Sequence, residues 1–131
     1  MRNIYLVFGA AGSIGQKIVN ELSSAGHDVI AVVSHRHQEA RDRFVESRIA
    51  TGLLDDVSDW SDMHQFSEDL KGYSIQGIVY AVGHCPPGGF PEAIKYPLSG
   101  LLFQKYLDEI NMHQVGVLNV FQSFAPKIKV G

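Results

Sequence analysis

Gly9, Gly12 and Gly15 stand three residues apart in Val7-Phe8-Gly9-Ala10-Ala11-Gly12-Ser13-Ile14-Gly15-Gln16. Glycines let a chain turn tightly and bring bare backbone against a ligand. If the turn opens a helix, its first N–H groups, those of Ser13 and Ile14 among them, point free toward the turn and attract an anion. The chemistry on offer is binding of a phosphate or pyrophosphate. A glycine triplet is a weak motif alone, so the elements around it must decide.

Those elements are the right ones. An apolar run from Ile4 to Phe8 leads into the glycines and reads as a strand over about Asn3 to Phe8. Ile14, Ile18, Leu22 and Ala25 follow at helical intervals, giving a helix over about Ser13 to Ala25 that Gly26 stops. Ser13 and Gln16 have capping-box spacing at its start. Strand, glycine turn and helix together are the setting of a dinucleotide-binding loop. The spacing is G-x-x-G-x-x-G and not the common G-x-G-x-x-G.

Val29 to Val33 is a continuous apolar run, a strand buried on both faces. His35 to Arg48 is polar and basic, a short solvated helix anchored by Phe44 and Val45. Arg48 to Leu54 reads as a weak third strand. Trp60, Met63, Phe66 and Leu70 form one apolar face of a helix over about Asp59 to Leu70, with Trp60 in the core. Ile75 to Val82 is a fourth strand. The alternation predicts an α/β fold, a Rossmann-like parallel sheet with helices on both faces. Right-handed crossovers give the order 3-2-1-4, truncated after about four strands. Residues 1–131 make one domain of this kind.

Composition narrows the function. Hydrophobic residues are 45% of the chain, and the net charge is −3, so neither nucleic acid nor an anionic membrane is an expected partner. No apolar run approaches the roughly 20 residues of a membrane span. Met1-Arg2-Asn3 passes straight into the first strand with no signal-peptide pattern, and the single cysteine, Cys85, fits a reducing cytoplasm. Cys85 itself reads as a packing residue. The six histidines are scattered, with only His35 and His37 close in sequence, so no metal site is expected. His84 and His113 read as structural histidines more readily than as proton shuttles.

Gly83 to Pro97 holds five prolines and glycines beyond Gly83 in its first nine residues, and reads as an irregular loop on the ligand edge of the sheet, a surface loop or a wall of the pocket. From about Ser99 to Lys127 the pattern is helical, broken once near Asp108. Leu102, Tyr106, Ile110, Val117, Phe121 and Phe124 define one face, and Leu107, Leu118 and Val120 widen it. So broad a face needs cover on two sides, the sheet on one and a second subunit or further chain on the other.

Four landmarks then stand in order: the glycine turn, Leu54-Asp55-Asp56-Val57-Ser58-Asp59, Tyr80-Ala81-Val82-Gly83, and Asn111 in Glu109-Ile110-Asn111-Met112-His113-Gln114-Val115-Gly116. Together they resemble the N-terminal half of the short-chain dehydrogenase/reductase domain. The resemblance implies a cofactor pyrophosphate held at Gly9, Gly12, Ser13, Ile14 and Gly15. The middle glycine falls one place early against the TGxxxGxG form, as in the family's extended branch. The resemblance further implies Asp56 at the adenine amino group with Val57 beside the ring, and Ala81, Val82 and Gly83 along the adenosine ribose. Tyr80 and Ala81 stand where the family has two asparagines, so its side-chain tie to the central strand is missing. Asn111 matches the catalytic asparagine, whose backbone carbonyl holds a water of the proton relay.

Cofactor choice rests on Val33-Ser34-His35-Arg36-His37, with no acid between Asp28 and Glu39. An NAD site wants an acid there for the ribose 2′-hydroxyl. Ser34 and the planar fork of Arg36 suit a 2′-phosphate instead, so the cofactor expected is NADP. A methyltransferase would also want that acid. An epimerase of the extended branch fits the glycine spacing, but the Asn111 segment looks more like the reductase branch.

The resemblance implies hydride transfer at a small carbonyl or alcohol substrate, with a serine and a Tyr-x-x-x-Lys pair as acid/base machinery. Four positions beyond Tyr5, Tyr73, Tyr80, Tyr96 and Tyr106 stand Gly9, Gly77, His84, Gly100 and Ile110, none a lysine. The expectation is a cofactor-binding half of an oxidoreductase, its fourth strand left as an edge, and a homo-oligomer through the C-terminal helix. The alternative is a dinucleotide-binding module without chemistry.

Overall fold

The computed structural model describes residues 2–83, 104 and 107–128. Strands β1 (Arg2–Phe8), β2 (Val29–Val33), β3 (Ala50–Leu53) and β4 (Tyr73–Tyr80) alternate with helices α1 (Ser13–Ser24), α2 (Gln38–Glu46) and α3 (Trp60–Asp69). A helical stretch at 107–110, a π-helical turn over Asn111–Val115, helix α4 (Gly116–Phe124) and a 3-10 turn over Ala125–Lys127 follow. The sheet is parallel in the order β3-β2-β1-β4, as the alternation predicts.

The period-2 geometry of a strand sorts the apolar runs onto two cores. Ile4, Leu6 and Phe8 of β1 and Ile30 and Val32 of β2 face α3 and α4, where Met63, Phe66, Leu70, Val120 and Phe124 meet them. Val7, Val29, Ala31 and Val33 face the other way, onto Val19 of α1 and Ala40 and Phe44 of α2. Phe8, Phe66 and Phe124 close into a three-ring cluster at centroid separations of 5.9 to 6.1 Å, edge to face. Gly52 makes room for it, since a Cβ there would lie 2.7 Å from the Phe66 ring.

Several expectations are corrected. Trp60 is 48% exposed and stacks on His64, because it opens α3 on the turn that faces solvent. Asp59 caps that helix, accepting from the Asp62 N–H at 3.0 Å. Phe44 anchors α2, but Val45 is exposed one position round the helix. The third strand starts at Ala50, because Arg48 takes a left-handed conformation (φ 60°) and closes α2 with Ile49 N–H donating to Phe44 at 2.8 Å. Ser13 is not the cap of α1: Gly12 is, with no side-chain cap bond, and the Gln16 amide reaches back to the Ala11 carbonyl at 2.7 Å. The broad apolar surface expected of the last helix divides into a covered and an open part, with Val120 and Phe124 buried and Val117, Leu118 and Phe121 exposed. Strand β4 is an outer strand of the sheet, as expected, with a single parallel bridge from Ile128 to Ile75 on its outer side. The segment from His84 to Gly100, including Cys85 and most of the Gly83–Pro97 loop, lies outside the described residues, as do Leu102 and Tyr106.

Candidate functional site

The four strands end together at their carboxyl edge, and each end contributes one wall of a cleft of about 760 Å³. At β1, Gly9 adopts φ 73°, and a Cβ on it would sit 2.6 Å from the Ala81 carbonyl carbon and oxygen. The turn is thus pressed against the end of β4, where Ala81 N–H donates to Phe8 at 2.9 Å. Gly15 serves packing: a Cβ would lie 2.8 Å from Ala10 Cα and closer still to the Gly9 carbonyl oxygen. Gly12 differs, because a Cβ there would meet only the Gly9 oxygen, at an ordinary 3.6 Å. Its neighbourhood is open to the cleft.

Helix α1 starts with Gln16 N–H donating to Gly12 at 2.9 Å. The N–H groups of Ser13, Ile14 and Gly15 precede that bond and have no partner within the helix. No acidic residue sits in the first turn to offset them, so the end of the helix carries its full positive field.

At β2, Ser34, Arg36 and His37 line the cleft. The Ser34 hydroxyl accepts from the Arg36 N–H at 3.1 Å, and the Ser34 carbonyl accepts from the His37 N–H at 3.1 Å. At β3, Leu54, Asp55, Asp56, Val57 and Ser58 line it. Asp56 Oδ1 accepts from the Ser58 N–H at 2.9 Å and hydroxyl at 2.6 Å, fixing the turn before α3. The Val57 carbonyl accepts from the buried Asn119 amide at 3.0 Å, which ties this wall to α4. Asp55 pairs with His35, and the two hydrogen bonds from His35 hold its carboxyl below the usual range.

At β4, Ala81, Val82 and Gly83 line the cleft, faced by Asp108, Asn111 and Met112. Asn111 opens the π-helical turn, its carbonyl accepting from Gly116 N–H. Such a turn puts one extra residue into the helix and marks functional positions often. The Tyr80 hydroxyl donates to the Met112 carbonyl, and burial pushes its pKa up to about 12. His113 lies against Gly83, 3.2 Å from where a Cβ would be, and pairs with Glu109 at 2.9 Å.

Of the expected cofactor residues, Gly9, Gly12, Ser34, Arg36, Asp56, Val57, Ala81, Val82, Gly83 and the candidate Asn111 meet at this one cleft. Ser13, Ile14 and Gly15 do not line it. Asp55, Ser58 and Met112 line it without having been singled out from the sequence, and Asn119 and Tyr80 brace it from behind. Among the described residues no cluster of three or more metal-ligating side chains occurs.

A family model described as the KR domain matches residues 3–115. The chain belongs to the KR domain family, of the short-chain dehydrogenase/reductase type. No curated protein matches the chain. Among solved structures it resembles a protein assigned as a short-chain alcohol dehydrogenase from Burkholderia multivorans at TM-score 0.76 and 16% identity, covering 98% of this chain and 57% of that one. A short-chain dehydrogenase from Streptomyces avermitilis gives 0.69 and 22%, covering 95% and 44%. A gluconate 5-dehydrogenase from Burkholderia cenocepacia, solved with NADP and tartrate, gives 0.65 and 20%, covering 95% and 48%. At these identities the likeness shows the fold. The chain spans about half the length of these structures.

The KR match ends at Val115, inside the π-helical turn, so all four strand ends and Asn111 fall within it. In this KR domain Tyr80 ties β4 to the Asn111 segment through the Met112 carbonyl.

Proposed function

We propose that this KR domain is the cofactor-binding half of an NADP-dependent oxidoreductase, one that reduces a carbonyl or oxidises an alcohol by hydride transfer. The observation that carries the reading is the convergence of the glycine turn, Ser34, Arg36, Asp56 and Asn111 on a single cleft at the carboxyl edge of the sheet. Ligands of open parallel sheets bind at that edge. NADP fits the residues there: Gly12 leaves open space before unpaired helix N–H groups, and the only arginine lining the cleft stands at the end of β2.

The cofactor, when bound, supplies or accepts the hydride. This chain's own residues bind and orient it. Gly9 and Gly12 bring backbone close, and Ser13 and Ile14 offer N–H groups to the pyrophosphate, with Gly15 letting α1 seat against the turn. Ser34 and Arg36 take the 2′-phosphate. Asp56 and Val57 border the adenine, and Ala81, Val82 and Gly83 the ribose. Asn111 is the catalytic residue of the set: its carbonyl accepts Gly116 N–H and keeps a second lone pair for the water of a proton relay.

The substrate class is a small molecule with a carbonyl or hydroxyl group, and nucleic acid and membrane are not partners in this reading. No helix among the described residues is long and apolar enough to cross a membrane. A cytoplasmic location belongs to the same reading. So does a homo-oligomer through α4, supported by Leu118 and Phe121 standing exposed on one helix.

Titration of the protein with NADPH and NADH tests the cofactor assignment. Tighter binding of NADPH is expected, equal affinity overturns the role of Arg36, and no binding of either overturns the reading. Turnover of a carbonyl compound with NADPH separates the oxidoreductase from a binding module without chemistry, a reading favoured by the lack of any Tyr-x-x-x-Lys in these residues.

A further inference from the structure

The end of β2 has an acid after all, supplied by another strand. The β2–β3 ladder closes with Leu54 N–H donating to Val33 at 3.0 Å. One residue further on, the Asp55 side chain continues the ladder: its Oδ1 accepts from the His35 N–H at 2.8 Å, and its Oδ2 lies 2.7 Å from His35 Nδ1. An ionised carboxylate only accepts, so the ring proton sits on Nδ1 and both oxygens are engaged. Hydrogen bonds to the charged form hold the carboxyl ionised below its usual range, and the positive charge of Arg36 acts in the same direction. Asp55 and Arg36 therefore feel each other, and both line the cleft.

Among the described residues three carboxylates line this cleft, and the other two are held elsewhere. Asp56 is turned onto Ser58, and Asp108 accepts from Gln104 at 3.0 Å. Of these three, only Asp55 is bound to the loop that carries Ser34, Arg36 and His37.

We propose that the Asp55–His35 clasp sets the preference for a 2′-phosphorylated nucleotide, with Asp55 as the specificity-determining residue and His35 as the residue that positions it. The proposal rests on the nucleotide reading above. The clasp works in two ways. It pins the His35 backbone, and so the turn in which the Ser34 hydroxyl accepts from Arg36 N–H. It also keeps the carboxylate turned onto His35, with one lone pair of each oxygen taken, which makes it a weaker acceptor for a ribose 2′-hydroxyl. An Asp55 released from the His35 ring would be an acid at the position an NAD site uses, repelling a 2′-phosphate and accepting from a 2′-hydroxyl.

The two partners then give opposite effects, which a merely structural role would not. Asp55→Asn keeps an oxygen for the His35 N–H, removes the charge and leaves Arg36 uncompensated. His35→Phe keeps the backbone bond and frees one carboxylate oxygen. Calorimetric titration with adenosine 2′,5′-bisphosphate and with 5′-AMP reads the ratio of affinities directly and requires no catalysis. Asp55→Asn is expected to raise the preference for the bisphosphate about fivefold, and His35→Phe to lower it by a similar factor. A ratio unchanged in both variants, or moved the same way in both, overturns the proposal. The wild-type ratio tests the reading beneath it separately. A wild-type preference for the bisphosphate with unresponsive variants leaves the NADP reading standing and removes the clasp. Equal wild-type affinities remove the NADP preference and the proposal with it, even if the variants shift in opposite directions. Binding of neither probe overturns both.

Discussion

The Tyr80 hydroxyl donates to the main-chain carbonyl of Met112, joining the end of β4 to the π-helical turn that begins at Asn111. Gly116 makes the approach possible, since a Cβ there would fall 2.7 Å from Val57 Cγ2 and closer still to the tyrosine oxygen. One glycine thus lets three elements meet behind the cleft. Tyr80→Phe removes this partly buried hydrogen bond and is expected to cost about 0.5–1.5 kcal/mol of stability, read by urea unfolding. Burial raises the Tyr80 pKa from 10.0 to about 12. A raised folded value means the contribution is complete below the unfolded pKa and lost as pH rises through the folded one. Wild-type stability should therefore fall between pH 10.0 and about 12 more steeply than that of Tyr80→Phe.

Gly12 and Gly15 separate ligand space from packing space. Gly15→Val drives a side chain into the Gly9 carbonyl and is expected to lower the melting temperature sharply or prevent folding. A Cβ at position 12 meets only an ordinary contact in the protein, so Gly12→Val is expected to keep the melting temperature within a few degrees. If the open space before α1 is where a nucleotide lies, Gly12→Val will lose NADPH binding while remaining folded. Full binding by a folded Gly12→Val protein would remove the glycine turn from the site.

Phe121 and Phe124 lie one helical turn apart with opposite environments, 67% and 0% exposed. Phe124→Ala opens a cavity against Phe8 and Phe66 and should cost about 3–5 kcal/mol by chemical denaturation. Phe121→Lys should leave the unfolding of a monomer nearly unchanged. If α4 is the subunit contact, the same substitution shifts the sedimentation profile toward the monomer.

Arg2 grips Asp28 through two hydrogen bonds of 3.0 Å at the far end of the sheet from the cleft. The guanidinium holds the Asp28 carboxyl below the usual carboxylate range. With the folded value depressed, the contribution is present above the unfolded pKa and lost as pH falls through the folded one. Stability of wild type and Asp28→Asn, compared along an acid titration, should converge as pH drops. Because both side chains are exposed, the gap should also shrink with added salt.

Much of this fold was legible in the chain itself. The run Val29 to Val33 coincides with β2, because a strand apolar at every position has nowhere to go but the middle of a sheet. Gly26 ends α1 in a left-handed conformation (φ 88°), as a glycine after a helical pattern implies. Boundaries were less legible where a residue did a job unusual for its type. Arg48 occupies the left-handed position glycine normally takes, so helix and strand merged in the sequence reading. Trp60 fell on an apolar period yet sits at the open end of α3, because spacing reports a face of the helix and says nothing of where its packing stops.

The sequence by itself determined the elements, their parallel order and the glycine turn, since these follow from local periodicity, backbone freedom and the handedness of crossovers. Tertiary structure alone decided which side chains share the cleft. Scanning the end of β2 finds no acid, because Asp55 is 20 residues away along the chain and arrives only when β3 pairs with β2. The same holds for Tyr80 and Met112, 32 residues apart, and for Asn119 and Val57, 62 apart. Such contacts depend on strand register and helix placement, which no local pattern records, and they give this glycine turn its surroundings.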